Sequence, residues 1–401
     1  MKIGILLPSH FDVASLCRVR ELCRILLQSS PLEGGPIELA VGLPERPESE
    51  WRRHERRLRE GMPEVIVRHL KWETVPAGNA VRMFAKHGLR LDLSGIHEVL
   101  VPRDWGWNFT DCDLWINFAD TSMGAVLPLK PVAHYVSDLA MRIVPYSFGA
   151  GVDDPFWQRQ VDSFRLWRQG ALVTVTDQWT ADDVVGYAGV RRENVVQLPS
   201  LSFSDEPLPH LPERELGGWI WTIEANPRFD IRNALAGLQI YVREGGTHLP
   251  TIACQNAAPF SPGSHHPVFA GWDASALDLW SELEIVAYPD FRTLSRLLNR
   301  AQLLWSSEIA GGDGFSLALA ARHGLRFLGM DFPAHRQLAE KCGHSIALYA
   351  ESDPLLIADA LHAMEALGPS QSQPLGAPES PAIRRQQYGF LIDRLLERVR
   401  D

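Results

Sequence analysis

The sequence predicts an α/β protein built from two Rossmann-like domains, and three observations support this prediction. The chain has 401 residues, enough for two separate cores, and its 45% hydrophobic and 22% charged residues are typical of a soluble globular protein. Short apolar runs alternate with helical patterns in both halves. A proline-rich polar stretch, Ser202–Glu213, separates the halves. We therefore expect domains at 1–203 and 217–368, a linker at 204–216, and a linker and terminal helix at 369–401.

The first domain is predicted to open with an apolar strand, Lys2–Leu7, which is closed by a proline. Helix Ser15–Leu27 follows, because its apolar residues recur at helical spacing with arginines between them. Strand, loop and helix in this order are typical of a Rossmann-like domain. The other elements expected in this domain are strands Ile37–Val41, Val65–His69, Asp113–Asn117 and Ala171–Thr176, and helices Arg52–Arg59 and Asp177–Tyr187.

The second domain contains the most informative unit of the chain. Strand Leu303–Trp305 leads through the glycine-rich turn Gly311–Gly314 into helix Ser316–His323, and strand Leu325–Met330 follows. The free N–H groups and the dipole of a helix start both favour an anion, so this unit predicts a phosphate-binding site. The other elements expected here are strands Trp219–Ile223, Thr251–Cys254 and Glu284–Tyr288, and helices Ile231–Arg243, Phe291–Ala301 and Leu355–Met364. The terminal segment is expected to hold the amphipathic helix Ala382–Val399, with Ile383, Tyr388, Leu391, Ile392, Leu395 and Leu396 on one side.

Charge, cysteine content and hydropathy exclude several classes of protein. The net charge of −10 provides no general footprint for nucleic acid. The five cysteines are dispersed without metal-ligand spacing, which favours a reducing compartment. No apolar run approaches the ~18 residues of a membrane span, and no signal peptide precedes the first strand. We therefore expect a cytoplasmic protein.

Two features of the first half allow more than one interpretation. Asp111-Cys112-Asp113 has the Asp-x-Asp form of a metal and nucleotide motif, but directly before an apolar run it favours a loop leading into a strand. Several tryptophans could form a sugar platform, although packing explains them equally simply. These tryptophans are Trp105, Trp107, Trp115, Trp157 and Trp167.

Four segments around the glycine-rich turn carry a family resemblance. They are Ser306-Ser307-Glu308, Asp313-Gly314-Phe315-Ser316-Leu317, Ala320-Ala321-Arg322-His323-Gly324 and Asp331-Phe332-Pro333-Ala334-His335-Arg336. In layout they resemble the donor-site signature of GT-B glycosyltransferases, especially the retaining, metal-independent family-4 group. The resemblance implies a GT-B fold, with two Rossmann-like domains facing a central cleft and a C-terminal helix crossing back to the N-terminal domain.

The resemblance also implies which residues bind the donor. Arg228 matches the family arginine that grips the donor diphosphate, while Phe229 replaces the family lysine and Arg232 is one turn away. By resemblance, the backbone near Val286 and Tyr288 reads the nucleotide base. The backbone of the glycine-rich turn and helix start is expected to hold the diphosphate, through Gly311, Gly312, Gly314, Phe315 and Ser316.

The catalytic carboxylates depart from the family pattern. The two family glutamates fall on Gly311 and Leu319, neither of which carries a carboxylate. Glu308 and Asp313 are the nearest candidates to stabilise the reacting sugar. Asp313 could instead hold the turn, and Glu308 could instead pair with a neighbouring arginine.

The resemblance extends to the first domain, which it makes the acceptor side. Pro131–Pro145 is similar to the family segment that borders the reacting sugar, with Ser137 at the family histidine and Asp138 retained. Asp138 is a catalytic candidate, or else a cap of the following turn. His10 and Asp12 follow the first strand and either line the acceptor side or cap the next helix.

The functional hypothesis is a retaining glycosyltransferase with a nucleotide-sugar donor and a glycan, lipid-linked or protein acceptor, as in polysaccharide biosynthesis. No metal or other cofactor is expected, since arginines and backbone amides can neutralise the diphosphate. Peripheral membrane association and the oligomeric state stay open. The alternative is a GT-B scaffold with impaired catalysis that serves as a binding or partner subunit, which the departures at Ser137, Phe229, Gly311 and Leu319 favour.

Overall fold

A computed structural model forms two compact units. Unit 1 comprises Met1–Leu201 and Glu379–Asp401, and unit 2 comprises Ser202–Pro378. The structure describes residues 1–9, 11–29, 36–86, 92–119, 124–145, 155–169, 171–202, 218–225, 228–260, 272–288, 291–311, 314–342, 346–368 and 379–400. The predicted linker 204–216 lies outside these described residues.

Unit 1 is built on a parallel sheet whose strand order is β3-β2-β1-β6-β7-β8-β9. Its strands are β1 (Lys2–Leu6), β2 (Glu38–Pro44), β3 (Ile66–Leu70), β4 (Trp72–Pro76), β5 (Glu98–Pro102), β6 (Leu114–Ala119), β7 (Val132–Val136), β8 (Leu172–Val175) and β9 (Val195–Gln197). β4 and β5 pair antiparallel in a separate ribbon. Its helices are α1 (Val13–Gln28), α2 (Glu48–Arg59), α3 (Ala77–Lys86), α4 (Ala140–Ile143), α5 (Pro155–Arg168) and α6 (Gln178–Gly186).

Unit 2 contains a second parallel sheet, of order β12-β11-β10-β13-β14-β15. Its strands are β10 (Gly218–Thr222), β11 (Thr251–Cys254), β12 (Ile285–Ala287), β13 (Ala301–Ser306), β14 (Arg326–Met330) and β15 (Ile346–Tyr349). Its helices are α7 (Ile231–Arg243), α8 (Ala274–Glu282), α9 (Phe291–Leu298), α10 (Phe315–Arg322), α11 (Pro333–Cys342) and α12 (Pro354–Ala366). This order is that of a Rossmann fold, and the predicted α/β class is confirmed.

The last helix, α13 (Pro381–Arg400), packs on unit 1 although it follows unit 2 in the chain. Its buried face, which contains Tyr388, Leu391, Ile392 and Leu395, joins the core between the sheet and α1. Arg384 is 1% exposed and forms an ion pair of 3.0 Å with buried Glu21 of α1. Ile383, predicted on the apolar face, is instead 46% exposed, because the packed stretch begins one residue later at Arg384.

Two tight contacts organise the helices of unit 2. α7 and α12 approach most closely at Gly237, where an added Cβ would lie 2.6 Å from Ile357 Cγ2. The carboxylate of Glu365, in the last turn of α12, accepts hydrogen bonds from the hydroxyls of Thr247 and Tyr241 and contacts the ring of His248. These donors, led by Thr247, lower the pKa of Glu365 to about 2.

One predicted boundary is wrong for a simple reason. Helix Phe291–Ala301 ends at Leu298, and Ala301 already pairs with Gly218 as the first residue of β13. Ala301 is fully buried in the sheet, so the strand begins earlier than its most apolar residues suggested.

Candidate functional site

The candidate site lies at the carboxyl ends of β10 and β13 in unit 2. These strands are neighbours in register, with Thr222 opposite Ser306, and the connections from their ends lead to strands on opposite sides. Ligands of open α/β sheets bind at such a switch point, because the two loops that leave it diverge and open a crevice. The loop before α7 and the loop before α10 therefore border the same place.

A short backbone bridge joins these two loops. Phe229 lies opposite Glu308 in an antiparallel bridge. The N–H of Ile309 donates to the carbonyl of Arg228 at 2.7 Å, and the N–H of Asp230 donates to the carbonyl of Ser307 at 3.0 Å. The bridge brings the predicted arginine loop directly beside the segment that carries Glu308.

Two buried aromatic residues fix the end of β13. The indoles of Trp221 and Trp305 stack with ring centroids 4.5 Å apart. Trp221 Nε1 donates to the Ser307 hydroxyl at 3.1 Å, and the Ser306 hydroxyl accepts from the N–H of Glu308 at 3.3 Å. Both serines are almost completely buried. Side chains of strands β10 and β13 thus fix the segment that leads to Glu308.

The half-buried Glu308 folds back onto its own loop. A Cβ added at Gly311 would lie 3.1 Å from Glu308 Cδ and closer still to Oε1. The carboxylate therefore occupies the space that a side chain at position 311 would enter. Gly311 leaves this space open because it has no side chain.

The two helices that start at the switch point differ in their caps. Asp230 caps α7, since its carboxylate accepts from the N–H of Asn233 at 3.1 Å and from the Ser352 hydroxyl at 2.9 Å. α10 begins after Gly314, whose φ of 57° is left-handed and whose missing side chain provides no cap. The backbone N–H groups and the dipole at the start of a helix favour an anion, so the start of α10 is a candidate anion site at the switch point.

The other predicted donor residues lie around these loops. Arg228 is half-buried beside the bridge, and Arg232 is exposed in the first turn of α7. Phe315 and Ser316 form the first turn of α10, and Ser316 is 9% exposed. Gly312 and Asp313 lie outside the described residues.

The segment predicted to read the base is tied into the sheet edge. Val286 pairs with Ala253, and the N–H of Tyr288 donates to the carbonyl of Cys254 at 2.9 Å. The Tyr288 hydroxyl donates to Glu224 at 2.7 Å, and the N–H of Gln255 donates to the same carboxylate oxygen. Glu224, which the sequence analysis did not select, thus ties together the ends of β10, β11 and β12. Its signal was an acidic residue directly after a buried strand.

The acceptor-side candidates of unit 1 also lie at a carboxyl edge, after β1 and β7. Asp12 caps α1 by accepting from the N–H of Ser15 at 2.6 Å. Asp138 is buried, accepts from the N–H of Ala140 at 2.9 Å and receives the Ser137 hydroxyl at 3.1 Å. Asp12 is therefore the N-cap of α1, whereas Asp138 lies one residue before Leu139, the N-cap of α4. β6 separates the strands that precede the two aspartates. His10 lies outside the described residues.

The Asp-x-Asp sequence lies at the opposite, amino edge of the unit 1 sheet. Asp111 binds both terminal nitrogens of Arg68 and lies 2.8 Å from Lys2 Nζ, which holds its pKa well below the usual range. Asp113 accepts from the N–H of Lys2. These aspartates anchor β6, in line with the interpretation of this sequence as a loop leading into a strand. In the described part of the chain no group of three His, Cys, Asp or Glu side chains is placed to hold a metal ion.

The tryptophans of unit 1 do not form one platform. Trp115 and Trp167 are buried, and Trp105 packs partly buried against the core beside the β4–β5 ribbon. Trp107 is 77% exposed at the tip of the β5–β6 turn.

Among the helices that the structure describes, none has the length and apolar character needed to cross a membrane.

Comparison with known proteins finds the fold and no sequence relative. No protein-family model matches the chain, and no curated protein matches it. HepE of Anabaena in complex with UDP and glucose is 12% identical, with 99% of each chain covered and a TM-score of 0.59. WaaG, a glycosyltransferase involved in lipopolysaccharide biosynthesis, is 12% identical, with 98% of this chain and 95% of WaaG covered and a TM-score of 0.55.

A third solved structure widens the range of chemistry that this fold carries. The UDP-GlcNAc 2-epimerase from Neisseria meningitidis, bound to UDP-GlcNAc, is 10% identical, with 99% of this chain and all of the epimerase covered and a TM-score of 0.50. At such identities a likeness shows the fold alone. The chain has the two-domain GT-B type of fold, which glycosyltransferases and sugar-nucleotide epimerases share.

Proposed function

We propose that this chain is a glycosyltransferase that transfers a sugar from a nucleotide-sugar donor to a glycan, lipid-linked or protein acceptor. The observation that carries the proposal is the backbone bridge at the switch point of unit 2. It joins the Arg228 loop to the Glu308 segment, and the start of α10, which follows Gly314, lies in the same connection. A cation, a carboxylate and a helix start are the groups that a glycosyl transfer needs on its donor side.

Each group has a distinct task in this proposal. Arg228, with Arg232 one turn on, and the first amides of α10 neutralise the diphosphate as it leaves, in place of a metal ion. Glu308 stabilises the positive charge that develops on the sugar. The acceptor binds at the carboxyl edge of the unit 1 sheet, where Asp12 and Ser137 lie.

The position of Glu308 supports an active rather than an impaired site. In the family that this chain resembles, the first glutamate of the donor signature stands at position 311, where this chain has glycine. The Glu308 carboxylate fills the space beside the Gly311 backbone, so it replaces the missing group from three residues earlier. Retention of the anomeric configuration, as in that family, is part of the proposal.

Ligand binding provides the first test. We expect UDP or another nucleotide to raise the melting temperature with and without Mg²⁺, because a ligand that binds only the folded state stabilises it. Arg228→Ala should weaken this binding roughly tenfold or more, the effect of losing a charge-assisted hydrogen bond. Arg243→Ala, at the other end of α7, is the matched control and should bind like the wild type. Equal affinities of the two variants would refute the assignment of the arginine loop.

Turnover measurements distinguish three alternatives: a glycosyltransferase, an epimerase and a scaffold with impaired catalysis. Release of the nucleotide from its sugar, with the product anomer read by NMR, would support transfer and report retention or inversion. Conversion of UDP-GlcNAc into its epimer without an acceptor would instead show an epimerase, the activity named for one structural neighbour. Binding without either reaction, across a panel of donors and acceptors, would favour the impaired scaffold.

A further inference from the structure

One buried histidine beside the candidate site has an unused ring nitrogen. His335 lies in the first turn of α11 and is completely buried. Its ring stacks on Phe332 with centroids 3.8 Å apart and meets Phe327 edge-on at 4.9 Å. Its Nδ1 lies 2.8 Å from the carbonyl of Met330 at the end of β14. The ring is therefore held in one orientation.

This contact determines which nitrogen carries the proton. A carbonyl oxygen only accepts, so Nδ1 carries the hydrogen and Nε2 is left with a lone pair. Burial lowers the pKa of His335 to about 4, so the ring is neutral at physiological pH. No donor in the described part of the chain reaches Nε2. An apolar side chain here would avoid the cost of an unpaired buried acceptor.

The ring edge that carries Nε2 faces two glycines. His335 Cδ2 lies 3.8 Å from the Cβ position of Gly314, and Cε1 lies 3.3 Å from that of Gly329. Nε2 lies between these two ring carbons, and no side chain projects from either glycine. Gly314 is the residue from which α10 starts without a side-chain cap. The ring edge that carries the unpartnered Nε2 thus lies beside the residue that precedes the first turn of α10.

We propose that His335 Nε2 accepts the hydrogen of an O–H group of the ligand that binds at the start of α10. This inference rests on the proposed function and adds a residue that selects the donor. Two ligand groups supply such a hydrogen: a hydroxyl of the donor sugar, or the protonated terminal phosphate of a nucleoside diphosphate. Within an intact nucleotide sugar both phosphates are esterified, so the sugar hydroxyl is the source in the reactive complex.

The decisive measurement needs no substitution. The wild-type chain, labelled with ¹⁵N-histidine, is titrated with UDP and with UDP-glucose. We expect the Nε2 resonance of His335, assigned by its loss in His335→Phe, to move toward that of a hydrogen-bonded nitrogen. A change with UDP-glucose alone identifies the sugar hydroxyl, and a change with UDP alone identifies the terminal phosphate. Saturation with both probes and no change of this resonance would overturn the inference.

Affinity gives an independent measurement. His335→Phe removes the acceptor and keeps an aromatic ring, so we expect binding of the probe that moves the resonance to weaken roughly tenfold to a hundredfold. His134→Phe is the matched control, because His134 is also buried, also has an unpartnered Nε2, and lies in the unit 1 sheet. Its affinity should equal that of the wild type.

The outcomes distinguish this inference from the proposed function. If the wild type binds no member of a panel of nucleotides and nucleotide sugars that includes UDP, UDP-glucose and UDP-GlcNAc, the donor-site assignment and the role of His335 both fail. If the wild type binds and His335→Phe binds as tightly, only the role of His335 fails. A purely structural histidine would change the melting temperature of the variant and leave the wild-type Nε2 resonance unchanged by ligand.

Discussion

Replacing Gly311 with glutamate tests whether the Glu308 carboxylate lies against the backbone of its own loop. The backbone at 311 is not left-handed, so a side chain is tolerated there unless it meets a neighbour. That neighbour is Glu308, whose Cδ lies 3.1 Å from the Cβ position. Gly311→Glu would therefore place two carboxylates side by side, whereas Gly311→Gln adds the same bulk without the charge.

The electrostatic repulsion between the carboxylates at positions 308 and 311 follows from this geometry. Two unit charges about 4 Å apart repel by about 4 kcal/mol at an effective dielectric constant of about 20, and less if the side chains rotate apart. The steric cost of about 1–3 kcal/mol is common to both variants and cancels. We therefore expect Gly311→Glu to be less stable than Gly311→Gln by up to about 4 kcal/mol, and by nearly nothing when Glu308 is also replaced by glutamine.

Urea unfolding followed by tryptophan fluorescence measures these differences, since Trp221 and Trp305 lie in the core of unit 2. The four variants form a double-mutant cycle in which the coupling is the repulsion itself. Equal stability of Gly311→Glu and Gly311→Gln in the presence of Glu308, within about 0.5 kcal/mol, would refute the placement of the carboxylate. The same result would also refute the proposal that Glu308 replaces the family glutamate.

Three further predictions concern the fold. Arg384→Ala should lower the free energy of unfolding of unit 1 by about 3–5 kcal/mol, because buried Glu21 loses its partner. Gln387→Ala, at an exposed position of the same helix, should change urea unfolding by less than about 0.5 kcal/mol, and similar losses would contradict the buried pair. The pKa of Glu365 lies below its ordinary 4.5, so the stability this carboxylate contributes is complete above that pH and is lost as the pH falls toward 2. Glu365→Gln should flatten this acid limb of the unfolding midpoint, and an unchanged limb would count against the network. Gly237→Ala should destabilise by about 1–3 kcal/mol through overpacking, while Gly389→Ala, where an added Cβ meets nothing, should stabilise by up to about 1 kcal/mol in thermal unfolding.

The sequence predicted the fold class because its strands are apolar and its helices periodic. β13 and β10 are buried throughout or nearly so, and strands of this kind leave a clear signal. The β4–β5 ribbon was missed, since β4 reads WETVP and alternates too weakly to mark a strand. Its pairing with β5 depends on a contact far along the chain, which local pattern does not contain.

The candidate site shows the same difference between features that the sequence indicates and features that depend on packing. Arg228 and the glycine-rich turn were expected together because the family resemblance assigns both to the donor diphosphate. In the structure both follow parallel strands, whose carboxyl ends share one edge. The role of Asp138 was open, since an aspartate after a strand serves a ligand or a turn equally well, and the sequence did not indicate that its carboxylate accepts from the N–H of Ala140. The resemblance included His335 in its last segment but did not indicate the unpaired ring nitrogen, which is a property of three-dimensional packing.

The return of α13 to unit 1 has a consequence for synthesis on the ribosome. The first segment of unit 1 is translated before unit 2, yet Tyr388, Leu391, Ile392 and Leu395 of its core are added only after the whole of unit 2. At about 5–20 residues per second, the roughly 200 residues after Leu201 take on the order of 10–40 s. During that time the apolar surface that later receives α13 is uncovered. Unit 2 has its own core, and all of its residues are translated before α13. Unit 2 can therefore finish folding before unit 1, although its translation begins later.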